Sequence, residues 1–266
     1  MSRARTPDPL AEPLAEPLAE RIAVLDLDGT LADGSMATPF LEALISRGVC
    51  DPAAGRSALA SISGYHGRDG TTAHAPAAAE TYAHLGRALA GASRADVERA
   101  TAEAWPAARE RIFPFAAELV GLLHDAGLRT VLISGSPYEI VRLAAAELGI
   151  GAAHGMRAEL RHGRYTGALE TAPALPGGKR AALREATRRR PVDRRASFAM
   201  GNSPSDAEAF EQVGVAVAFE PDPVLHGWAL DRGWITADRQ DALALCHDLI
   251  ATHPLLGEGL RAAGQL

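Results

Sequence analysis

The sequence has few cysteines, few aromatic residues and no long apolar stretch. Its two cysteines, Cys50 and Cys246, are far apart and show no CxxC spacing, which excludes a disulfide scaffold and a cysteine-based zinc site. No apolar run approaches the roughly 18 residues that a membrane span needs. No apolar segment follows Arg3 and Arg5 as it would in a signal peptide. We therefore expect reduced thiols, a cytoplasmic location and no membrane partner.

Positive charge is also scarce relative to negative charge. The chain of 266 residues has 27 basic and 33 acidic side chains, a net charge of −6, which argues against a nucleic-acid binder. The basic run at 188–190 with Arg194 and Arg195 is typical of a solvated helix end and turn. Since 47% of the residues are hydrophobic and 23% charged, we expect a globular protein of one or two domains.

Apolar runs that end in small polar residues recur along the chain and predict buried parallel strands. These runs are Ile22–Leu25, Leu128–Ile133, Ala196–Met200 and Val215–Phe219. Helical patterns alternate with them, at Ala116–Ala126, Tyr138–Leu148 and Lys179–Arg189. The alternation predicts a parallel sheet with helices on both faces, and such sheets bind ligands at the carboxyl ends of their strands.

Two segments differ from this pattern. Residues 1–20 contain the repeat AEPLAEPLAE, which predicts a disordered tail because proline at every fourth position prevents a continuous helix. Residues 38–112 are rich in alanine and show no convincing strand, so we expect a helical insertion after the first strand. Its helices are predicted at Pro39–Ser46 and Arg94–Arg111, with a polar loop at Ser63–Gly70.

Local signals mark a hairpin and two helix starts. Met156–Leu160 and Tyr165–Leu169 flank a short polar turn, a pattern that predicts a β-hairpin. Ser136 and Ser203 each precede a proline and have an acidic residue three positions later, which predicts that both serines cap helices.

Asp26 and Asp28 follow the first predicted strand and are two residues apart, so their side chains can share one face. Two close carboxylates repel each other unless one is protonated or a cation lies between them. Mg²⁺ suits such a site because it takes one or two carboxylates together with water and phosphate oxygens. One carboxylate can then attack phosphorus while the other transfers a proton. An acidic turn without function is the alternative.

Lysine is nearly absent, since Lys179 is the one lysine among the 27 basic residues. This bias indicates that arginine serves wherever only a positive charge is needed. A compact ammonium group and a planar guanidinium are not interchangeable at a tight phosphate site, so Lys179 is a candidate phosphate ligand. The alternative is an ordinary exposed lysine at a helix start.

Four short motifs follow one another in the order expected for one superfamily. They are Asp26-Leu-Asp-Gly-Thr30, Ser134 after an apolar strand, Lys179 after two glycines, and Gly201-Asn-Ser-Pro-Ser-Asp206. Together they resemble the motifs of the haloacid dehalogenase superfamily over residues 21–236. The segments 163–167 and 219–225, with Gly233-Trp234, resemble its phosphoserine-phosphatase-like branch.

This resemblance implies a fold and a division of the chain. The fold is an α/β, Rossmann-like three-layer α/β/α sandwich with a small helical cap inserted after the first strand. Residues 21–37 and 113–266 would form the catalytic core, and residues 38–112 the cap.

The resemblance also implies an activity, that of a Mg²⁺-dependent phosphatase of a small phosphorylated metabolite. Asp26 would be the nucleophile, forming an aspartyl-phosphate, and also a metal ligand. Asp28 would be the general acid/base and bind Mg²⁺ through its carbonyl. Lys179 would neutralise the phosphoryl group and the nucleophile.

The remaining motif residues would bind phosphate or support the metal. Ser134 and the Gly135 amide would hold a phosphate oxygen, and Asp206 would support the metal site. Asn202 stands where the fourth motif usually has aspartate. Its amide oxygen can still bind Mg²⁺, but the loss of one negative charge predicts weaker metal binding.

Several alternatives follow from these departures. A phosphoryl transferase of the same family remains open, as does a degenerate member that binds a phosphorylated ligand without hydrolysing it, because of Asn202. Dehalogenases generally lack the second aspartate, so Asp28 favours hydrolysis of a phosphate ester.

Substrate specificity is the least determined property. Phosphoserine phosphatases carry a substrate-reading glutamate seven residues after the second aspartate, and Ser35 occupies that position here, which disfavours phosphoserine. Polar residues of the insertion are candidates for substrate specificity, with ordinary surface residues as the alternative. They are Tyr65, His66, Arg68, Asp69 and His74. The sequence sets no oligomeric state.

Overall fold

The computed structural model describes residues 19–66 and 74–256. This part of the chain forms one seven-stranded sheet flanked by α-helices. The strands are β1 Ile22–Leu25, β2 Arg129–Pro137, β3 Ala152–Arg161, β4 Arg164–Thr171, β5 Phe198–Gly201, β6 Val215–Phe219 and β7 Ile235–Ala237. The helices are α1 Ala37–Ser46, α2 Pro52–His66, α3 His74–Leu89, α4 Arg94–Ala108, α5 Ala116–Asp125, α6 Tyr138–Glu147, α7 Gly178–Thr187, α8 Ala207–Phe210, α9 Pro223–Arg232 and α10 Ala242–Thr252.

Strand β1 lies at the centre of the sheet, whose strand order is β4-β3-β2-β1-β5-β6-β7. All neighbouring strands are parallel except β3 and β4, which form an antiparallel pair. Leu25, the last residue of β1, lies opposite Leu132 of β2 and Met200 of β5. The residues that follow these three positions therefore meet at one edge of the sheet, as predicted for parallel strands.

The sheet separates two hydrophobic layers. Ala23 and Leu25 of β1 pack into a layer that includes α1, α5, α6 and α10. Ile22 and Val24 point to the other face, where α7, α8 and α9 pack. Side chains alternate along a strand, so a strand that is apolar at every position must be covered on both faces. The predicted three-layer sandwich is confirmed.

Most predicted elements are confirmed to within a few residues, and β1 and β6 have the predicted bounds. The predicted hairpin is β3–β4, and its turn residues His162 and Gly163 have φ values of 50° and 75°. Two positive φ values are what a two-residue turn with the right-handed strand twist requires. The helix cap predicted at Ser136 is wrong, because β2 continues to Pro137 and α6 begins only at Tyr138.

Helices α1 to α4 occupy the chain between β1 and α5. The loop predicted at Ser63–Gly70 is wrong for Ser63–His66, which continue α2; its remaining residues lie outside the described part. Packing of α2 along α3, with Ser61 and Thr81 hydrogen-bonded at 2.9 Å, outweighs the low helix propensity of Gly64. The predicted helix at Arg94–Arg111 ends as an α-helix at Ala108 and continues as a 3₁₀ turn.

The predicted domain boundaries stay predictions, but one end of the tail is described. Glu20, placed in the tail by its sequence, forms a bridge with Val192 and a two-fold hydrogen bond with Arg129 at 2.6 and 2.9 Å. Glu20 therefore belongs to the folded structure and not to a separate tail. Residues 1–18 lie outside the described part. Among the described helices, none combines the length and the apolar character needed to cross a membrane.

Candidate active site

A cavity of about 310 Å³ opens where the carboxyl ends of β1, β2 and β5 face helix α3. Five of the predicted site residues line it: Asp26, Asp28, Gly135, Lys179 and Asn202. Convergence of residues that are up to 176 positions apart follows from the strand order, because β1 lies between β2 and β5.

Asp26 directly follows β1 and has both carboxylate oxygens held by neighbouring donors. Its side chain is 5% exposed. Lys179 Nζ donates to Oδ1 at 2.7 Å, and Thr30 Oγ1 donates to Oδ2 at 3.2 Å. The backbone amide of Asp26 donates to Met200 of β5 at 3.0 Å, which fixes the residue against the sheet. Asp26 is therefore a fixed carboxylate at the floor of the cavity.

Lys179 lies in the first turn of α7 and is only 2% exposed. Its ammonium donates to both Asp26 and Asp206. Burial alone would lower the pKa of Lys179, but Asp206 and Asp26 together raise it above its usual value. The alternative interpretation, an exposed lysine at a helix start, is wrong.

Glu208 of α8 holds the start of α7 and was not identified from the sequence. Its Oε1 accepts from the Gly177 amide at 2.5 Å, and its Oε2 accepts from the Arg180 amide at 2.9 Å. These amides flank Lys179 and would otherwise be unpaired at the helix N-terminus. Glu208 thereby positions the backbone that carries the ammonium.

Asp206 supports the site from behind rather than lining the cavity. Its Oδ1 accepts from Lys179, while its Oδ2 accepts from the amides of Asn202 and Ser203 at 3.2 and 3.0 Å. The predicted cap at Ser203 is confirmed as a capping box on the 3₁₀ turn Pro204–Asp206. A Cβ at Gly201 would lie 2.2 Å from Asp206 Cγ, so glycine is needed at the end of β5.

Asp28 faces two serines from the end of β2. Its Oδ2 accepts from Ser134 Oγ at 2.6 Å, and its Oδ1 accepts from Ser136 Oγ at 2.8 Å and from the Met36 amide at 2.6 Å. Ser134 is fully buried and does not line the cavity. Its hydroxyl therefore contacts Asp28 and not the cavity space in this structure. Ser136, which the sequence rules assigned to a helix cap, does line the cavity.

The site carries more negative charge than one ammonium can balance. Burial, with additional repulsion from Asp206 and Asp28, raises the pKa of Asp26 from its usual 3.8 to about 7 although Lys179 opposes the shift. Three carboxylates around a single lysine leave an excess that a divalent cation would neutralise.

The donors for such a cation are not all acidic side chains. In residues 19–66 and 74–256, no three His, Cys, Asp or Glu side chains are placed to hold a metal together. Mg²⁺ needs few carboxylates and accepts amide and carbonyl oxygens. Asn202 lies against Gly29, whose Cβ, if present, would be 2.1 Å from Asn202 Nδ2. Asp26 and Asn202 line the same cavity, and their side-chain oxygens are of the kinds that a hydrated Mg²⁺ accepts.

Tyr82 of α3 links the helical insertion to the sheet edge and was not identified from the sequence. Its buried hydroxyl donates to the Gly135 carbonyl at 3.1 Å and accepts from the Ala174 amide at 2.9 Å. Burial raises the pKa of this phenol well above its usual value, so it stays a neutral donor. One side chain therefore connects α3, β2 and the segment before α7.

Replacing Tyr82 by phenylalanine should lower the free energy of unfolding by about 1–3 kcal/mol, because Gly135 and Ala174 lose their buried partner. Urea unfolding measures the change. Tyr138→Phe is the matched control: its ring lies 3.4 Å from the Arg157 guanidinium, and its hydroxyl makes no described hydrogen bond. We expect less than about 0.5 kcal/mol for this control. Equal effects in the two variants would contradict the role of the Tyr82 hydroxyl.

The predicted specificity residues are only partly within the described structure. Tyr65 and His66 end helix α2, and their side chains, like Arg68 and Asp69, lie outside the described part. His74 begins helix α3 and lines the cavity. Ser35 occupies the position at which phosphoserine phosphatases carry a substrate-reading glutamate, and it lines the cavity. Its hydroxyl accepts from the Ala37 amide at 3.3 Å.

Comparison with known proteins agrees with this geometry. Residues 23–211 match the model of the haloacid dehalogenase-like hydrolases. The chain belongs to this family. The predicted family is confirmed, and relatives named phosphoserine phosphatase agree with the predicted branch of that family.

Three similar proteins illustrate the extent of the match. A putative hydrolase of Mycobacterium leprae is 31% identical over 154 residues, which cover 58% of this chain and 51% of the relative. A phosphoserine phosphatase of Mycobacterium tuberculosis is 33% identical over 129 residues, covering 48% and 42%. A Bordetella pertussis structure of unknown function shares the fold with a TM-score of 0.66 and 23% identity, covering 83% of this chain and 99% of that one. The chain spans about half the length of the curated relatives it matches.

Proposed function

We propose that the protein is a Mg²⁺-dependent phosphatase that hydrolyses a small phosphomonoester through an aspartyl-phosphate on Asp26. The observation that carries the proposal is the fixed Asp26 carboxylate on the cavity floor, joined to Lys179 at 2.7 Å, with Asp28 on the same cavity wall. The family match and the relatives named phosphoserine phosphatase support the same chemistry.

The reaction has two steps. An Asp26 oxygen attacks phosphorus, the bond from phosphorus to the ester oxygen breaks, and Asp28 gives its proton to the leaving alkoxide. Asp28 then takes a proton from water, whose oxygen attacks phosphorus and releases Asp26 and inorganic phosphate. Lys179 balances negative charge on Asp26 and on the phosphoryl oxygens in both steps.

Each neighbouring residue has a part in holding these groups. The Asp28 carboxylate is oriented by hydrogen bonds from Ser134, Ser136 and the Met36 amide. One of these hydrogen bonds must break before Asp28 can contact the leaving oxygen. The Gly135 amide is the proposed donor to a phosphate oxygen, and Tyr82 fixes the carbonyl of the same residue. These contacts explain how the carboxylates stay oriented without substrate.

Mg²⁺ would be held by Asp26, Asn202 and the Asp28 carbonyl, with Asp206 acting through Lys179 and the Asn202 backbone. When bound, the ion would stabilise negative charge on the transferring phosphoryl group. Asp206 does not line the cavity, which favours this supporting part for it.

The first experiment measures phosphate release from a panel of small phosphomonoesters, using protein treated with a chelator and then supplied with millimolar Mg²⁺. We expect release that depends on Mg²⁺. Absence of release from folded protein at every Mg²⁺ concentration would contradict the proposal and favour the degenerate, ligand-binding alternative. Phosphate transfer to an added alcohol in preference to water would favour the transferase alternative.

Replacing Asn202 by aspartate should lower the Mg²⁺ concentration for half-maximal activity about tenfold, since it adds a carboxylate to the proposed ion site. A Mg²⁺ titration of phosphate release measures this. Gln212→Glu, which adds the same charge outside the cavity wall, is the control and should leave the titration unchanged. An unchanged titration for Asn202→Asp would remove Asn202 from the metal site.

We also propose that the protein is cytoplasmic and that its substrate is a small phosphorylated metabolite. This location rests on the scarcity of cysteine, since Cys50 and Cys246 are the two cysteines of the sequence and proteins of oxidising compartments are often rich in disulfides. Fractionation of the producing cells would test this location.

A further inference from the structure

One face of α3 forms a wall of the cavity opposite the carboxylates. The residues on this face have the spacing of neighbours on a helix surface. They are Ala77, Ala78, Thr81, Tyr82 and Leu85, and Ile62 of α2 lies beside them. Four of these six side chains are wholly aliphatic, so the wall that faces the site of phosphoryl transfer is mainly apolar.

The two alanines are buried residues of the cavity wall. Ala77 and Ala78 are each 3% exposed, and both line the cavity. Small side chains at these positions leave space, and each added carbon there would reduce the room for a ligand.

Three charged side chains of the described wall already have hydrogen-bonding partners within the protein. Lys179 is held between two carboxylates, and Glu220 pairs with Arg239 at 2.6 and 2.7 Å. Asp222 caps α9 through the Leu225 amide at 2.7 Å. No arginine is among the described residues that line the cavity. Apart from Lys179, which is already paired, and His74, the described wall offers a substrate carboxylate no basic side chain. The carboxylate would also approach the like charges of Glu220 and Asp222.

We propose, on the basis of the phosphatase function above, that the alcohol part of the substrate is uncharged and mainly apolar and packs on the α3 face at Ala77 and Ala78. The cavity volume is near the lower end of the range of roughly 300–1,000 Å³ for small-molecule sites, so the alcohol is small. The carboxylate of a zwitterionic alcohol such as serine would lie unpaired against this wall.

Kinetics with a homologous series test the proposal on the unmodified protein. The substrates are ethyl, propyl, butyl and pentyl phosphate, with O-phospho-L-serine and phosphoglycolate as charged esters of similar size. The assay is run at pH 8, above the reference pKa of about 6.5 for a histidine side chain, because His74 also lines the cavity. We expect kcat/KM to rise about fourfold per methylene until the cavity is filled. Butyl phosphate should exceed both charged esters by about tenfold or more.

A matched pair of variants places the effect on the α3 face. Ala78→Leu fills the cavity and should reduce the ratio of kcat/KM for pentyl over ethyl phosphate about tenfold or more. Ala79→Leu adds the same side chain at the next position, which is exposed, and should leave the ratio unchanged. Equal ratios in the two variants would overturn the placement, and the substrate series stays decisive if Ala78→Leu does not fold.

The outcomes separate the two proposals. Faster hydrolysis of phosphoserine or phosphoglycolate than of butyl phosphate, or a flat alkyl series, overturns the apolar-alcohol inference while the phosphatase function stands. Hydrolysis of none of these esters in the presence of Mg²⁺, by protein shown to be folded, overturns both.

Discussion

Phosphate release should fall by roughly 10⁴-fold or more when Asp26 is replaced by asparagine. The amide has nearly the same shape but is a poor nucleophile, so no aspartyl-phosphate can form. The fold should persist, because Lys179 keeps its partner Asp206 and the variant removes a buried charge that is costly to hold. Phosphate release measures the activity, and urea unfolding checks the fold.

A second readout identifies the covalent step. Acid-quenched wild-type protein should carry one phosphoryl group during turnover, detected by mass on the peptide that contains Asp26, and the variant should carry none. Asp231→Asn is the control, since Asp231 is an exposed aspartate of α9 outside the cavity wall, and it should turn over normally. Hydrolysis retained by Asp26→Asn would remove Asp26 from the role of nucleophile.

The convergence of the motif residues could be predicted because it depends on strand order and little else. Polar residues that follow buried parallel strands must meet at one edge of the sheet. Asp26, Asp28 and Asn202 follow β1 and β5, and all three line the same cavity. The scarcity of lysine was a second signal, and the burial of Lys179 agrees with it.

The partners of these residues could not be predicted, because they come from distant parts of the chain. Ser136 has the local pattern of a helix cap, yet its hydroxyl donates to Asp28, 108 positions away. Glu208 has the pattern of an ordinary helix residue, yet it accepts from the amides at the start of α7. Capping rules describe local competition for hydrogen bonds, and here the half-buried Asp28 carboxylate is the stronger acceptor for the serine hydroxyl.

The cavity wall was missed for a different reason. A helical period in the sequence predicts that one face of α3 is covered, but the same period describes a face on the core and a face on a cavity. Ala77, Ala78 and Leu85 share this face, and only the structure shows that all three line the cavity. The predicted specificity residues, Tyr65, His66 and Arg68, were chosen for their polarity, and that criterion cannot find an apolar wall.

Replacing Lys179 by arginine should lower kcat/KM about 10²- to 10³-fold, the usual effect of losing one well-placed charge at a reacting group. The ammonium lies between Asp26 and Asp206 in a site that is 2% exposed. A planar guanidinium is larger and cannot point one compact charge at both carboxylates, so it would displace the nucleophile. Arg180→Lys, the reverse exchange at the next position of the helix, is the control and should change kcat/KM less than about twofold.

Lys179→Met separates the structural from the catalytic contribution of the charge. Without the ammonium, Asp26 and Asp206 are buried with no cation between them, so the free energy of unfolding should fall by about 3–5 kcal/mol. Adding Asp206→Asn to this variant removes one unpaired charge and should restore part of the stability but none of the activity. Recovery of activity in the double variant would mean that Lys179 only offsets Asp206. Wild-type turnover by Lys179→Arg would show that a diffuse charge suffices there, and the scarcity of lysine would then carry no functional meaning.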